Sequence, residues 1–111
     1  MAKKERRKHS RIARPLDATF QGATGNASCR VADIGWGGCF VQTLAEPDIG
    51  WRTVITPAIQ GQTVDLSCAV VYRVRTMGFG VQFDPLSREQ VHVLRLLLGE
   101  PPQGVGPLRS S

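Results

Sequence analysis

Hydrophobic and polar positions alternate with a period of two along most of the chain, and the pattern gives way to a helical period only near its end. After Pro15, Leu16, Ala18 and Phe20 alternate with Asp17, Thr19 and Gln21, as in a half-buried strand. The Gly22–Asn26 cluster predicts a turn, Ser28 to Ile34 the returning strand, and Gly38 to Thr43 the next, leaving residues 35–37 at the tip between them. Glu46-Pro47-Asp48-Ile49-Gly50 reads as a loop. Trp51 to Thr56 is rich in β-formers and is expected to stop at Pro57, before a reversal at Gln60-Gly61-Gln62. The clearest strand follows. Val64, Leu66, Cys68, Val70, Tyr72 and Val74 fall on one face against Asp65, Ser67, Ala69, Val71 and Arg73, so the first set is assigned to the core. A turn near Thr76-Met77 leads into Gly78-Phe79-Gly80-Val81-Gln82-Phe83. Its aromatics share one face, and its glycines leave room on the other for a group packed closely over Gly78 and Gly80.

The period then changes. Ser87 is placed to cap a helix, Gln90 to complete a capping box, and Leu86 to meet Val91 as a hydrophobic staple. Val91, Leu94, Leu97 and Leu98 make the apolar stripe and Arg88, Glu89 and Arg95 the wet face, until Gly99 and Pro101-Pro102 end the helix. The stripe suits a lid on the sheet, with a partner-binding helix as the alternative. Short strands bounded by turns, with no long crossover and one terminal helix, predict a mostly β fold: a small antiparallel barrel or curled sheet closed by a C-terminal helix. Residues 1–13 form a basic arm too poor in apolar surface to fold alone, 14–98 the barrel and helix, and 99–111 a Gly- and Pro-rich tail expected to be disordered.

At 111 residues the chain fits one domain, and no window is apolar enough for a membrane span. The basic N-terminus lacks the apolar region of a secretory signal, which points to the cytoplasm. Cys29, Cys39 and Cys68 have no CxxC spacing and sit in apolar or alternating segments, as small core residues do. His9 and His92 have no ligating neighbour at a metal spacing, so no metal site is expected. No acid/base pair or activated nucleophile is apparent, which argues against catalysis.

Charge is what singles out the arm. Lys3, Lys4, Arg6, Arg7, Lys8, Arg11 and Arg14 face Glu5 alone, a net +6 against +5 for the whole chain. Such a segment is either an electrostatic tail or a compact anion clamp. Arg7 and Arg11 are separated by Lys8-His9-Ser10, so both guanidiniums can fold around one small anion. A guanidinium fork bonds two phosphate oxygens or the O6/N7 edge of guanine, and its flat face stacks on a base. Asp33-Ile34-Gly35-Trp36-Gly37-Gly38 supplies the complement, because a carboxylate accepts from the N1 and N2 donors of guanine that arginine leaves unmet. The glycines there permit positive φ and close approach of a ligand, although an Asp-plus-glycine turn also serves as a plain hairpin or bulge. Trp36, at the tip, either packs on the barrel or stays exposed to stack on a base or touch a protein.

Arg7-Lys8-His9-Ser10-Arg11 resembles the RxxxR motif, and residues 33–38 resemble the (D/N)xSxxG motif, of bacterial PilZ domains that bind cyclic di-GMP. The likeness continues through the Gly78–Phe83 strand and the Leu86–Leu98 segment, covering most of residues 6–98. It implies a six-stranded antiparallel β-barrel with a C-terminal helix. It also implies that Arg7 and Arg11 grip phosphates and guanine edges, that Asp33 contacts a guanine, and that Gly38 lets the turn close around the ligand. Arg6 would add a contact favouring a stacked pair of nucleotides, and Gly37 and Trp36 would be accessory. One position departs: Gly35 stands where the family has serine, so a hydroxyl worth roughly 0.5–1.5 kcal/mol, about two- to tenfold in affinity, is missing. The resemblance implies a stand-alone cyclic di-GMP receptor that signals to an unidentified downstream protein. The alternatives are a barrel kept for protein contact without nucleotide affinity, and nonspecific binding of nucleic acid or anionic membrane by the arm, for which aromatic interleaving is scarce.

Overall fold

The computed structural model describes residues 15–102, so the predicted arm and most of the predicted tail lie outside the described residues. Seven strands and one helix follow in order: β1 (Leu16–Gly22), β2 (Gly25–Ala32), β3 (Gly38–Gln42), β4 (Arg52–Ile59), β5 (Gln62–Thr63), β6 (Leu66–Val74), β7 (Gly78–Phe83) and α1 (Arg88–Leu98). Every pairing is antiparallel, and the order β1-β2-β3-β7-β6-β4 returns on itself because β1 also pairs with β4. Six strands therefore form the closed barrel expected from the sequence. The two-residue β5 hangs on β4 outside the ring, through a turn with Gln60 at φ 49° and Gly61 at φ 82°. Positive φ at both central residues matches the right-handed strand twist of a tight hairpin.

The period-two pattern fills the barrel. Phe20, Val31, Val41, Ile55, Leu66, Cys68, Val70, Phe79 and Val81 are all buried, and Phe20 meets Phe79 edge to face at 5.7 Å. The one buried polar side chain among the described residues, Thr53, donates its hydroxyl to the Gln21 carbonyl at 2.9 Å, so no lone polar group taxes the core. α1 covers the end of the barrel where β4 stops and β6 starts. The Ser87–Gln90 capping box is complete, Gln60 and Gln90 tie the helix to its neighbours through the Leu96 and Asp65 carbonyls, and Gly99 ends it at φ 81°. Leu86 and Val91 are buried as a staple requires, together with Leu94 and Leu98 and, beyond the predicted stripe, Val93.

Two strand predictions need correction. β4 does not stop at Pro57 but runs on to Ile59. Pro57 pairs with Ala18 of β1, while on the other side the β6 ladder ends at Ile55 and that of β5 begins at Ala58. In that break a residue with no N–H disturbs the sheet least. β6 keeps its predicted inward face only as far as Val70. There Val70 pairs with Val81 but Tyr72 with Gly80, so Val71 is an extra residue in the strand. The bulge turns Tyr72 to the outside, and Tyr72 and Val74 are exposed rather than core.

The glycines at the β3–β7 seam answer to close packing. A Cβ on Gly38 would lie 2.1 Å from the Val81 carbonyl oxygen, a main-chain atom with nowhere to go, whereas one on Gly35 would meet nothing within 4 Å. The group over Gly80 is the Tyr72 ring, 2.2 Å from where a Cβ would stand. Gly38→Ala is therefore expected to lower stability by about 1–3 kcal/mol, and Gly35→Ala by less than about 0.5 kcal/mol; urea denaturation of the two variants checks the contrast.

Burial raises all three thiols: Cys29 to about 11, Cys39 further still, and Cys68 to about 12, where Asp84 adds to the rise while Arg52 and the backbone near Ile55 oppose it. Because the folded values stand above the usual 9.0, this stabilisation is full below pH 9 and is lost as the pH climbs towards the folded values. The denaturation midpoint should fall between pH 9 and 11, and fall less in a Cys39→Ala/Cys68→Ala variant. A thiol reagent should modify the half-buried Cys29 ahead of the two core cysteines.

Candidate functional site

The turn between β2 and β3 is pinned by two inward pegs. Ile34 is fully buried and Trp36 is 6% exposed, while Asp33 and Gly37, on either side of the pair, are exposed and Gly35 between them is half-buried. Trp36 is therefore part of the barrel core and is not the exposed stacking residue that its tip position allowed. The reason is that alternation persists through the turn: each inward peg buries a large apolar surface, and each outward position is left to polar or small residues. The Gly35 N–H closes the turn on the Gly38 carbonyl at 2.9 Å, and the Phe83 N–H anchors it to β7 through the Gly37 carbonyl at 2.8 Å.

Conformational freedom in this turn belongs to a different residue from the ones expected. Gly35, Gly37 and Gly38 all avoid the left-handed region, and Asp33 occupies it, at φ 47°. Aspartate is among the few non-glycine residues that adopt this conformation readily, because its short carboxylate interacts with nearby backbone. The geometry fixes the Asp33 carboxylate at the outer rim of the barrel, at the end covered by α1.

From that rim an open cavity of about 400 Å³ runs along the outer wall, its lining including Asp33, Gly37, Gly38, Phe40, Val71, Tyr72 and Gln82. Of the residues singled out in the sequence, Asp33, Gly37 and Gly38 come together here; Gly35 sits in the same turn without lining the cavity, and Trp36 points away. Arg6, Arg7 and Arg11 lie outside the described residues. Phe40, Val71, Tyr72 and Gln82 escaped the sequence reading, since alternation assigned Tyr72 inward and Val71 to the opposite face. The available signal was Gly80, a strand glycine that demands a close neighbour.

A second cavity of about 370 Å³, at the opposite end of the barrel, lies between Phe20, Trp51 and the 45–48 loop and has no connection with the motif residues. Among the described residues no cluster of His, Cys, Asp and Glu could hold a metal, and no helix is long and apolar enough to cross a membrane.

No curated protein sequence matches the chain. In fold it is similar to the crystal structure of the PilZ domain of CeSA from a cellulose-synthesizing bacterium, with a TM-score of 0.60 and 17% identity over 79% of this chain and 94% of that one. The sequence itself matches the PilZ domain family over residues 5–100, a span that takes in the RxxxR segment, the Asp33–Gly38 turn, the closed barrel and the terminal helix. With fold, motif order and family match in agreement, the chain belongs to the PilZ domain family.

Proposed function

We propose that this protein is a cyclic di-GMP receptor whose basic arm and Asp33 turn hold the nucleotide against the outer wall of the barrel, and whose occupied form is read by a partner protein in the cytoplasm. PilZ domains are in general binding modules for this nucleotide rather than enzymes. The observation that carries the reading is the register of β1 on β2. Leu16 pairs with Val31, two residues before Asp33, so the chain joins the barrel beside the turn. Arg11 precedes Pro15 by four residues, a length that spans at most about 14 Å when extended, and the cavity along the wall is about 400 Å³. Cations from the arm and an acceptor at Asp33 would meet there, the two halves of guanine and phosphate recognition.

Titration calorimetry with cyclic di-GMP, using GTP and a short DNA duplex as controls, tests the reading. Saturable heat from the cyclic dinucleotide alone is the expected result. No heat at high micromolar ligand leaves a barrel used for protein contact, and steeply salt-dependent DNA binding returns the arm to nonspecific electrostatics.

Arg7→Ala and Arg11→Ala should each weaken cyclic di-GMP binding by roughly tenfold to a hundredfold, from the loss of a charge-assisted contact of about 1.5–3 kcal/mol. The unfolding temperature should hardly move, because the buried core runs from Ala18 to Leu98. Unchanged affinity in both variants would exclude the clamp.

Gly35 is not in the left-handed region and has open space around it, so a serine enters without strain. Gly35→Ser is expected to bind about two- to tenfold more tightly than Gly35→Ala, which adds the same Cβ without the hydroxyl. Equal affinities would show that position 35 makes no contact with the ligand.

A further inference from the structure

The end of the barrel away from α1 carries a surface that the nucleotide motifs do not touch. Seven large apolar side chains are exposed among the described residues, and four of them gather here: Leu44 and Ile49 in the loop between β3 and β4, and Val74 and Met77 at the β6–β7 turn. Leu44 is 79% and Met77 60% exposed. The two segments are held together, since the Thr43 N–H donates to the Met77 carbonyl at 3.3 Å and the Arg73 guanidinium to the Pro47 carbonyl at 3.4 Å. The far end of the loop is fixed to β6 by the Gly50 N–H on the Val70 carbonyl at 2.8 Å. A loop tied at both ends presents its side chains without first having to be ordered, which lowers the cost of binding. Against the same loop lies the mostly apolar cavity of about 370 Å³, whose lining includes Phe20, Pro47 and the half-buried Trp51 together with the exposed Glu46 and Asp48. Among the described residues no lysine, arginine or histidine lines it, and neither carboxylate has an ion-pair partner.

We propose that this end of the barrel is a docking surface for a partner protein whose contacting segment inserts an arginine into the cavity and covers Leu44, Ile49 and Met77 with apolar side chains flanking it. The charge of the cavity selects the occupant. An apolar lining takes the stem of an arginine, a tryptophan ring attracts its guanidinium, and two carboxylates accept from its N–H fork. An acidic side chain would meet two like charges, and a purely apolar one would strip water from the carboxylates without replacing it. Lysine fits less well, because its ammonium is a point charge that neither stacks nor bonds as a fork. Exposed apolar residues around a socket for one anchoring side chain are what a protein interface uses to keep water from its central contact. The cavity shares no lining residue with the one at Asp33, so the proposal stands whether or not cyclic di-GMP binds there.

The chain contains two tryptophans, which makes the test direct: Trp51 lines the cavity, whereas Trp36 is buried in the turn at the other end and serves as a control. The full chain is titrated with the capped peptide Ala-Leu-Arg-Leu-Ala, and with the same peptide carrying citrulline, the uncharged isostere of arginine, while the indole N–H resonances are followed by NMR. Expected are a saturable movement of the Trp51 signal with the Trp36 signal unmoved, binding about fivefold weaker for the citrulline peptide, and loss of that preference in a Glu46→Gln/Asp48→Asn variant, whose substitutions are exposed and keep the side-chain shape. No movement of the Trp51 signal up to millimolar peptide, or equal binding of the two peptides by the wild type, overturns the proposal. A Trp51 signal that moves with protein concentration alone gives the surface to a second copy of the chain, and peptide binding that appears only in an Arg7→Ala/Arg11→Ala variant gives it to the chain's own basic arm; either result also overturns the proposal.

Discussion

Closure of the sheet on itself is the constraint on which the other features depend. Ala18, Thr19 and Phe20 of β1 pair with Pro57, Thr56 and Ile55 of β4, and this short ladder turns an open sheet into a ring. A ring has no free edge to slide along, so the register of each strand is fixed by both of its neighbours, and a slip of one residue would send an entire apolar face into water. The same fixity positions the candidate site. With β1 locked to β2 and β2 ending at Ala32, the start of β1 at Leu16 and the turn after Ala32 are neighbours whatever side chains they carry.

Within that ring the β3–β7–β6 wall is built differently from the rest. Along β1 and at Arg30 of β2 the outward positions are polar or charged, as at Asp17 and Thr19, and an exposed Arg30–Asp17 ion pair at 3.3 Å adds little energy. On this wall glycines at 38, 78 and 80 bring backbones and rings together, and a bulge places an aromatic where a regular strand would have hidden it. A close-packed, partly apolar outer surface costs solvation and has no role in filling the core. It borders the candidate site beside Asp33.

Most of the fold could be read from the order of residues because it rests on local rules. Ser87 and Gln90 cap α1 through atoms three residues apart, and alternation from Leu16 to Phe20 or from Leu66 to Val70 needs only the pleat. The failures all depend on partners distant in sequence. Pro57 is tolerated because two ladders part there, and Tyr72 faces outward because β7 offers Gly80 and β6 carries a spare residue. The site was legible to the same degree. Asp33, Gly37 and Gly38 declared themselves through their composition, while the rest of the cavity lining is brought to them by strand register.

The left-handed backbone of Asp33 bears on how its identity should be interpreted. At φ 47° most side chains other than aspartate, asparagine and glycine pay a steric penalty, so any test of the carboxylate at this position is also a test of main-chain shape. A variant that loses both the carboxylate and this tolerance confounds the two. Asparagine retains the conformation and removes only the charge, which makes it the one informative replacement. Backbone shape alone favours Asp, Asn or Gly at position 33, before any nucleotide is considered.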